Sequence, residues 1–379
     1  MAIFGFSFAF PFLSIFISKD LGVPQGRELD LWTAAIASVS GLSMAIASPI
    51  WGVMGDRFGR KPMLLRSMVG GAITVGLIFF ARSPTELLIL RLLQGATSGT
   101  VAAATALVAA ETPRNRVGWA LGVVTSAVAL GGAIGPVVGG LAGAAVGLRI
   151  VFLGGGILLL LSTIPVLVIV RESPRRRREG LQLGTMALIK QRPGAVRALT
   201  VLIGAQGLIN VCNSATQQLV VLRLLEMLTS GVSAVTGVAF GLAGVASSGA
   251  AIFYTQVTRS FGYVRTTAIA AVVVAVAVSL IGVAPWVAVV VAGVALNGLF
   301  SGVVIPATAS MIGLETPPEA QSSVFGANAS SVALGFSIGP AIGGGVAATA
   351  GVPAALMVVS VLALGLAALL VFGAREPTR

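Results

Sequence analysis

The residues that could do chemistry are few, and the densest group lies in one short loop. Gly52-Val53-Met54-Gly55-Asp56-Arg57-Phe58-Gly59-Arg60-Lys61-Pro62 combines one acid, three bases and turn-forming glycines. Asp56, at a helix end, could pair with Arg60 or with a basic group on a neighbouring helix, and such a pair can hold one helix packing and release in another. Topology alone explains the bases but neither the acid nor the glycine spacing. We therefore interpret these residues as a conformational latch: Gly52, Asp56, Arg57, Gly59, Arg60 and Lys61.

Arg91 is the one basic residue well inside a long apolar run. A charge at the centre of a bilayer costs about 2.5–3.5 kcal/mol even on the lenient insertion scale, so its side chain should face protein or water. It also lies near enough to the outer end of its helix to extend to that interface. Spacing alone leaves both alternatives open.

A second polar group lies in one apolar run near the middle of the chain. Asn210, Asn213 and Gln217 are three and four residues apart, so they share one helix face. Asn297, in a later run, is a candidate partner. The alternative is ordinary hydrogen bonding between helices, worth about 0.6 kcal/mol per pair.

Several kinds of chemistry are excluded by residue type. The chain has no histidine and a single cysteine, Cys212, so it can form neither an internal disulfide nor a histidine-based metal site. It has no nucleotide-binding loop and no carboxylate pair inside an apolar run, which argues against an enzyme. We expect no cofactor and no metal ion.

The composition requires lipid as the solvent. Hydrophobic residues make up 56% of the 379 residues and charged residues 9%, against roughly a quarter charged in soluble domains. Apolar runs of about 20 residues predict an all-α integral membrane protein with twelve transmembrane helices. The runs are 1–18, 31–55, 62–81, 85–110, 117–143, 148–170, 197–222, 232–257, 264–283, 286–310, 323–348 and 353–374. The first run is short, which suggests a natural start upstream of Met1.

The positive charge follows the predicted topology. If both termini are cytoplasmic, 18 of the 24 Lys and Arg residues lie on the cytoplasmic side and five outside, as the positive-inside rule requires. The net charge of +12 then needs no nucleic-acid partner. The lipid bilayer is the expected partner, in a bacterial-type inner membrane.

The chain repeats itself at an offset of 204 residues. Glu111-Thr112-Pro113 returns as Glu315-Thr316-Pro317, and 14 of the 30 positions in 111–140 are identical in 315–344. Six helices separate the copies, which predicts two pseudo-symmetric six-helix bundles related by an axis along the membrane normal. The expected domains are 1–170 and 197–379. The basic segment 171–196 between them is expected to lie against anionic headgroups.

Glycines form the most regular motif of the repeat. Positions 131, 135 and 139 are four apart, so they share a helix face that admits close approach, and Pro136 weakens the helix there. Such a face suits sliding between the two halves, although ordinary close packing explains it equally well. The motif comprises Gly131, Gly135, Pro136, Gly139 and Gly140, and its second copy comprises Gly335, Gly339, Pro340, Gly343 and Gly344.

These motifs together resemble one family. The 52–61 loop looks like the cytoplasmic loop signature of the major facilitator superfamily. The glycine motif and Leu90-Arg91-Leu92-Leu93-Gln94-Gly95 resemble the fifth-helix and fourth-helix motifs of its drug–proton antiporter branch. Ser48-Pro49-Ile50-Trp51-Gly52 and the 113–122 segment look particularly like bacterial multidrug exporters.

The resemblance implies a monomeric exporter of small amphipathic molecules that works by alternating access coupled to proton entry. It implies a cavity lined by spans one, four, seven and ten, with Asn210, Asn213, Gln217 and Asn297 as candidates. It also implies that Arg91, Gln94 and Gly95 form a functional motif in which Arg91 tunes a carboxylate. Two alternatives remain: a facilitator or importer of a neutral metabolite, and a non-transporting membrane sensor.

The sequence departs from the family pattern in two places. The second-half loop, Arg259-Ser260-Phe261-Gly262, has no carboxylate, so a latch there should be weakened or lost. No Asp or Glu lies deep in a span, and only helix-end acids remain to carry a proton. Asp30 and Glu86, near the outer ends, are the candidates.

Overall fold

The fold is described by a computed structural model that covers residues 5, 7, 8, 10–113, 116–172, 194–316 and 321–376. Within helices the side chains of a few residues, Asp56 among them, lie outside the described part. Every regular element of the described residues is helical, as the apolar runs predict. Most of the predicted linker 171–196 falls outside this part of the chain.

Thirteen α-helices follow one another along the described residues. They are α1 (Leu13–Lys19), α2 (Arg27–Phe58), α3 (Arg60–Leu77), α4 (Pro84–Thr97), α5 (Thr100–Glu111), α6 (Val117–Val146), α7 (Leu148–Val168), α8 (Ala195–Met227), α9 (Val232–Phe261), α10 (Tyr263–Val283), α11 (Val287–Glu315), α12 (Gln321–Ala350) and α13 (Val352–Gly373). Short 3-10 helices, Phe10–Phe12 and Ile78–Phe80, precede α1 and follow α3.

Eleven stretches of the described residues are long and apolar enough to cross a membrane. They correspond to the second to twelfth predicted runs. The first predicted run, 1–18, gives only the apolar helical stretch Phe10–Lys19, and residues 1–4, 6 and 9 lie outside the described residues. The protein is therefore an all-helical, multi-pass membrane protein, and its twelfth span remains a prediction.

The fourth predicted run, 85–110, is not one continuous helix. It is broken at Ser98 and Gly99 into α4 and α5, although Pro84–Val108 as a whole is apolar enough to span. Ser98 is extended and Gly99 has a φ of 115°, a left-handed conformation that glycine adopts without steric cost. The break frees backbone carbonyls, and side chains from two neighbouring helices bind them. Trp51 Nε1 donates to the Ala96 carbonyl at 2.6 Å and Arg66 Nη2 to the Ser98 carbonyl at 3.1 Å.

Contacts divide the chain into two compact units. The first comprises Met1–Arg175 with Val220–Gly244, and the second Arg176–Leu219 with Val245–Arg379. In the first unit, α3 packs along α7 and α2 along α4. In the second, α10 packs along α13 and α11. The pairs α3–α7 and α10–α13 are the third and sixth spans of each repeat, so both copies build the same helix pair.

Candidate functional site

The predicted latch loop forms the junction between α2 and α3. Gly59, with a φ of 104°, ends α2 and precedes α3, so a residue with a β-carbon would be strained there. The amides of Arg60 and Lys61 donate to the Glu172 carboxylate at 2.8 and 3.0 Å, which satisfies unpaired donors at the start of α3. A carboxylate is also favoured by the helix dipole at that end. Sequence reasoning did not identify Glu172.

The basic side chains of this loop bind backbone carbonyls. Arg60 Nη1 donates to the Ala106 carbonyl of α5 at 2.7 Å, and Lys61 Nζ donates to the Leu167 carbonyl near the end of α7 at 2.9 Å. Arg57 is exposed beside the Phe58 ring, and a β-carbon on Gly52 would meet no heavy atom within 4 Å. The Asp56 side chain lies outside the described residues. The described contacts of the loop thus tie α3 to α5, α7 and Glu172.

The second half contains the same arrangement. The amides of Tyr263 and Val264 both donate at 2.9 Å to the Glu376 carboxylate, at the start of α10. The second-half loop itself has no carboxylate, as expected, and the acid that binds the start of α10 is Glu376, which follows the end of α13 as Glu172 follows the end of α7. The weakened latch of this half stays a prediction. A signal was present in the sequence, because Arg171-Glu172 returns as Arg375-Glu376 at the repeat offset of 204.

Arg91 is buried inside the first unit, with 9% of its surface exposed, so it does not extend to the outer interface. Its Nη1 donates to Gln94 Oε1 at 2.6 Å, and its guanidinium carbon lies 4.3 Å from the centre of the Phe10 ring. Arg91 and Gln94 can meet because they are three residues apart on one face of α4. The tuning of a carboxylate by Arg91 stays a prediction. Gly95 lets α4 approach α2, since a β-carbon there would overlap the Ser40 carbonyl.

The two acids predicted as proton carriers have different environments. Glu86 is exposed and caps α4: its carboxylate accepts from the Arg82 amide at 2.8 Å, while its own amide donates to Ser83 Oγ at 3.2 Å. Asp30 is 6% exposed in the first turn of α2, within electrostatic range of Glu226. Among the described residues the Asp30 carboxylate has no hydrogen bond or ion pair. Of the two candidates, Asp30 is thus the buried acid without a structural task.

The glycine motif of α6 packs on the first residues of the same unit. A β-carbon on Gly135 would lie 2.7 Å from Ser7 Cβ, and one on Gly139 would overlap the Phe8 carbonyl. The close approach at Gly135 is therefore made to the start of the chain, within the predicted domain 1–170. Gly131 lies one turn before Gly135 on the same helix.

The adjacent face of α6 packs on α9 within the first unit. A β-carbon on Gly237 would lie 2.5 Å from the Pro136 carbonyl oxygen and 3.1 Å from Gly140 Cα. Gly140 is one position beyond Gly139, about 100° around the helix, so it faces a different neighbour. The motif thus combines two close contacts, one on each face.

The second glycine copy repeats the first contact. A β-carbon on Gly335 would lie 2.8 Å from Asn210 Cβ, and one on Gly339 would overlap the Val211 carbonyl of α8. Val211 is 204 residues after Ser7, just as Gly339 is 204 after Gly135. Gly343 faces Ala215 and Leu219 of α8, and Pro340 and Gly344 are buried. The motif has the same partner in both copies of the repeat.

The polar residues of α8 do not share one partner. Ser301 Oγ of α11 donates to Asn213 Oδ1 at 2.9 Å, whereas Asn210 Nδ2 donates within α8 to the Gln206 carbonyl at 2.8 Å. Asn297 is one turn from Ser301, and its Oδ1 is buried without a partner among the described residues. Gln217 is exposed. The structure therefore places Asn213, Ser301 and Asn297 along one α8–α11 contact and separates Asn210 and Gln217 from it.

Sequence reasoning missed Arg66, which it counted only as a topogenic charge. Its guanidinium carbon lies 3.6 Å from the centre of the Trp51 ring, between α2, α3 and the α4–α5 break. Its position six residues inside α3 was the available signal. Among the described residues there is no group of three His, Cys, Asp or Glu side chains that could hold a metal ion.

Comparison with known proteins gives a consistent family. The family model of the Major Facilitator Superfamily matches residues 1–277 and 207–379. The multidrug resistance protein MdtG of Dickeya zeae (strain Ech586) is 30% identical over 361 residues, which are 93% of this chain and 86% of that protein. MdtG of Proteus mirabilis (strain HI4320) is 43% identical over 169 residues, 45% of this chain and 42% of that protein. The latter alignment spans less than two thirds of the relative's own length.

Solved structures share the fold at low identity. A variant of the nucleoside transporter NupG has a TM-score of 0.77 at 13% identity, covering 98% of each chain. A bacterial homologue of the human lysosomal transporter Spinster has a TM-score of 0.78 at 13% identity, covering 98% of this chain and 94% of that one. The chain belongs to the Major Facilitator Superfamily, and it is a membrane transporter rather than an enzyme.

Proposed function

We propose that this protein is a secondary active exporter of small amphipathic or drug-like molecules in a bacterial inner membrane. The similarity to multidrug resistance proteins over most of the chain supports export of drug-like substrates. The antiporter-type glycine motif, present in both halves and packed on equivalent partners, supports the same assignment. We also propose that the protein is a monomer.

The transport mechanism in this proposal is alternating access between two six-helix halves, 1–170 and 197–379. The observation that carries it is the duplication of contacts: Gly135 on Ser7 and Gly339 on Val211 are related by the repeat offset. Each half thus has an equivalent internal contact between its first and fifth predicted spans, and this duplication supports rocking of two similar halves. Twelve spans with both termini cytoplasmic agree with the basic bias of the loops.

The proposed substrate-binding residues form two separate groups, one at the α8–α11 contact of the second unit and one around Arg91 in the first unit. Asn213, Ser301 and Asn297 supply donors and acceptors in an otherwise apolar surrounding, the combination that small-molecule cavities use. Arg91, Gln94 and Phe10 supply a cation, an amide and a ring in the first unit. Protons are the proposed coupling ions, with Asp30 as the carrier because it is buried and has no structural partner among the described residues.

Accumulation of a cationic dye in cells that lack other pumps tests this function. Cells that express the protein should accumulate less dye than cells with an empty vector, and an uncoupler should abolish the difference. An unchanged difference after uncoupling would remove proton coupling. Equal accumulation with and without the protein, for a panel of drug-like cations and neutral molecules, would favour a facilitator of a neutral metabolite.

A further inference from the structure

A cavity of about 340 Å³ lies in the first unit between α2, α3 and α5. It is lined among others by Trp51, Arg60, Arg66 and the unwound pair Ser98 and Gly99. It is partly open, because Ser48 and Gly52 on its rim are exposed. Two guanidinium groups and an interrupted helix therefore surround one space.

Arg66 is incompletely satisfied by the protein. One nitrogen, Nη2, binds the Ser98 carbonyl, but Nε and Nη1 are buried and have no hydrogen-bond partner among the described residues. None of the described acids forms an ion pair with it. Arg66 as a whole is half-buried, but donor atoms of a cation that are shielded from water without a partner are costly, so an anion in the adjacent cavity would be favoured.

The start of α5 adds further donors beside the cavity. Gly99 precedes this helix without a side-chain cap, so the amides of its first turn lack intrahelical partners. The positive end of the helix dipole lies at the same place. Thr100 Oγ1 is also buried without a partner among the described residues, with 7% of that residue exposed.

The second half of the repeat shows that the fold does not require these features. The α2–α3 junction Phe58-Gly59 corresponds to the α9–α10 junction Phe261-Gly262, so the offset in this part of the repeat is 203 residues. At that offset Arg60 corresponds to Tyr263 and Arg66 to Ile269. The matching Ser301-Gly302 lies inside the unbroken helix α11. Both cations and the helix break thus belong to the first half alone, where they surround the cavity.

We propose that this cavity binds the phosphate group of an anionic ligand. Proteins commonly direct arginine side chains and the N-termini of helices at phosphate oxygens. The phosphate can come from a lipid headgroup, since basic pockets between membrane helices bind such groups, or from free phosphate. Both sources present the same chemistry to Arg66 and to the start of α5.

Trp51 provides a direct reporter, because the Arg66 guanidinium lies on its ring. The full-length protein with Trp32→Phe, Trp119→Phe and Trp286→Phe keeps Trp51 as its only tryptophan. Purified in a maltoside detergent without phosphate, it is titrated separately with inorganic phosphate, with phosphatidic acid and with diacylglycerol, which lacks the phosphate. Trp51 emission is recorded for each probe.

We expect a saturable change of Trp51 emission with phosphatidic acid, with inorganic phosphate, or with both, and none with diacylglycerol. In the same background Arg66→Gln should raise the apparent Kd at least about tenfold, because the phosphate loses the cation that faces it. Ala102→Leu, which narrows the cavity but keeps both arginines, should raise it as well. Arg265→Gln, an exposed arginine on α10, is the matched control and should leave the apparent Kd unchanged.

The two sources are separated by the probe that acts. A response to phosphatidic acid alone assigns a lipid headgroup, and a response to inorganic phosphate assigns free phosphate. Equal responses to phosphatidic acid and diacylglycerol, no response to either phosphate probe, or an unchanged response in both Arg66→Gln and Ala102→Leu would overturn the proposal.

Discussion

Glu172 and Glu376, 204 residues apart, hold the starts of two equivalent helices. The first accepts hydrogen bonds from the Arg60 and Lys61 amides, and the second accepts them from the Tyr263 and Val264 amides. Each carboxylate follows the last span of its half and returns to the third span of the same half. In each half, a carboxylate that follows the sixth span therefore binds the N-terminus of the third span, α3 in the first half and α10 in the second.

Removing either carboxylate should destabilise its half. Glu172→Ala leaves two amides of α3 without acceptors, and hydrogen bonds to charged groups are worth about 1.5–3 kcal/mol each when shielded from water. Glu376→Ala should cost less, because its bonds are exposed. Thermal unfolding in detergent should show a lower midpoint for both variants, with Glu172→Ala the lower.

Glu28→Ala is the matched control, since Glu28 is an exposed acid in the first turn of α2. Its unfolding midpoint should differ little from that of the wild type. A Glu172→Ala midpoint as high as that of Glu28→Ala would mean that the carboxylate bonds at the start of α3 contribute no stability.

Gly135→Leu tests the contact between α6 and the start of the chain. A leucine would collide with Ser7 and Phe8, and overpacking typically costs about 1–3 kcal/mol, so both the unfolding midpoint and transport should fall. Gly132→Leu on the same helix is the control, because a β-carbon there meets nothing within 4 Å. Similar midpoints for the two leucine variants would show that the close approach at Gly135 is not needed.

The sequence predicted the helical membrane fold well, since apolar runs and the repeat depend only on composition and order. The break at Ser98 and Gly99 was not predicted, because the same Ser-Gly pair at 301–302 continues a helix. What differs is tertiary: Trp51 and Arg66 bind the carbonyls that the break exposes.

The candidate site was predicted less completely for the same reason. The spacing of Arg91 and Gln94 placed them on one helix face, and the structure brings them together. The distant partner of the latch loop, Glu172, could not be obtained from local spacing because it is 112 residues from Arg60 in sequence. Helical periodicity placed Asn210 and Asn213 on a shared face of α8. It could not show that Asn213 would bind Ser301 of α11 while Asn210 would bind a carbonyl of its own helix.

Asp56→Asn and Arg60→Ala should each impair transport while the protein remains in the membrane. The structure gives Arg60 a bond to the Ala106 carbonyl, so its loss should loosen α3 from α5 without removing either helix. Dye efflux and membrane abundance are measured for each variant, with Arg265→Ala as a basic control on α10. Full efflux by both Asp56→Asn and Arg60→Ala would leave the loop with a purely topological role.

Coupling is tested by separating the two acids that sequence reasoning had grouped. Asp30 is buried without a hydrogen bond or ion pair among the described residues, whereas Glu86 caps α4. A proton carrier must change its exposure to water or its charged neighbours during the cycle. Asp30 could change in both ways, because it is buried at the start of α2 and lies within electrostatic range of Glu226. Asp30→Asn should therefore abolish transport driven by a pH gradient in proteoliposomes but keep exchange of substrate.

Glu86→Gln should keep both, because glutamine also completes a capping box. The double variant should behave as Asp30→Asn alone. If Asp30→Asn still drives uphill transport at the wild-type rate, Asp30 does not carry the proton, and the coupling ion or its carrier must be sought elsewhere in the chain.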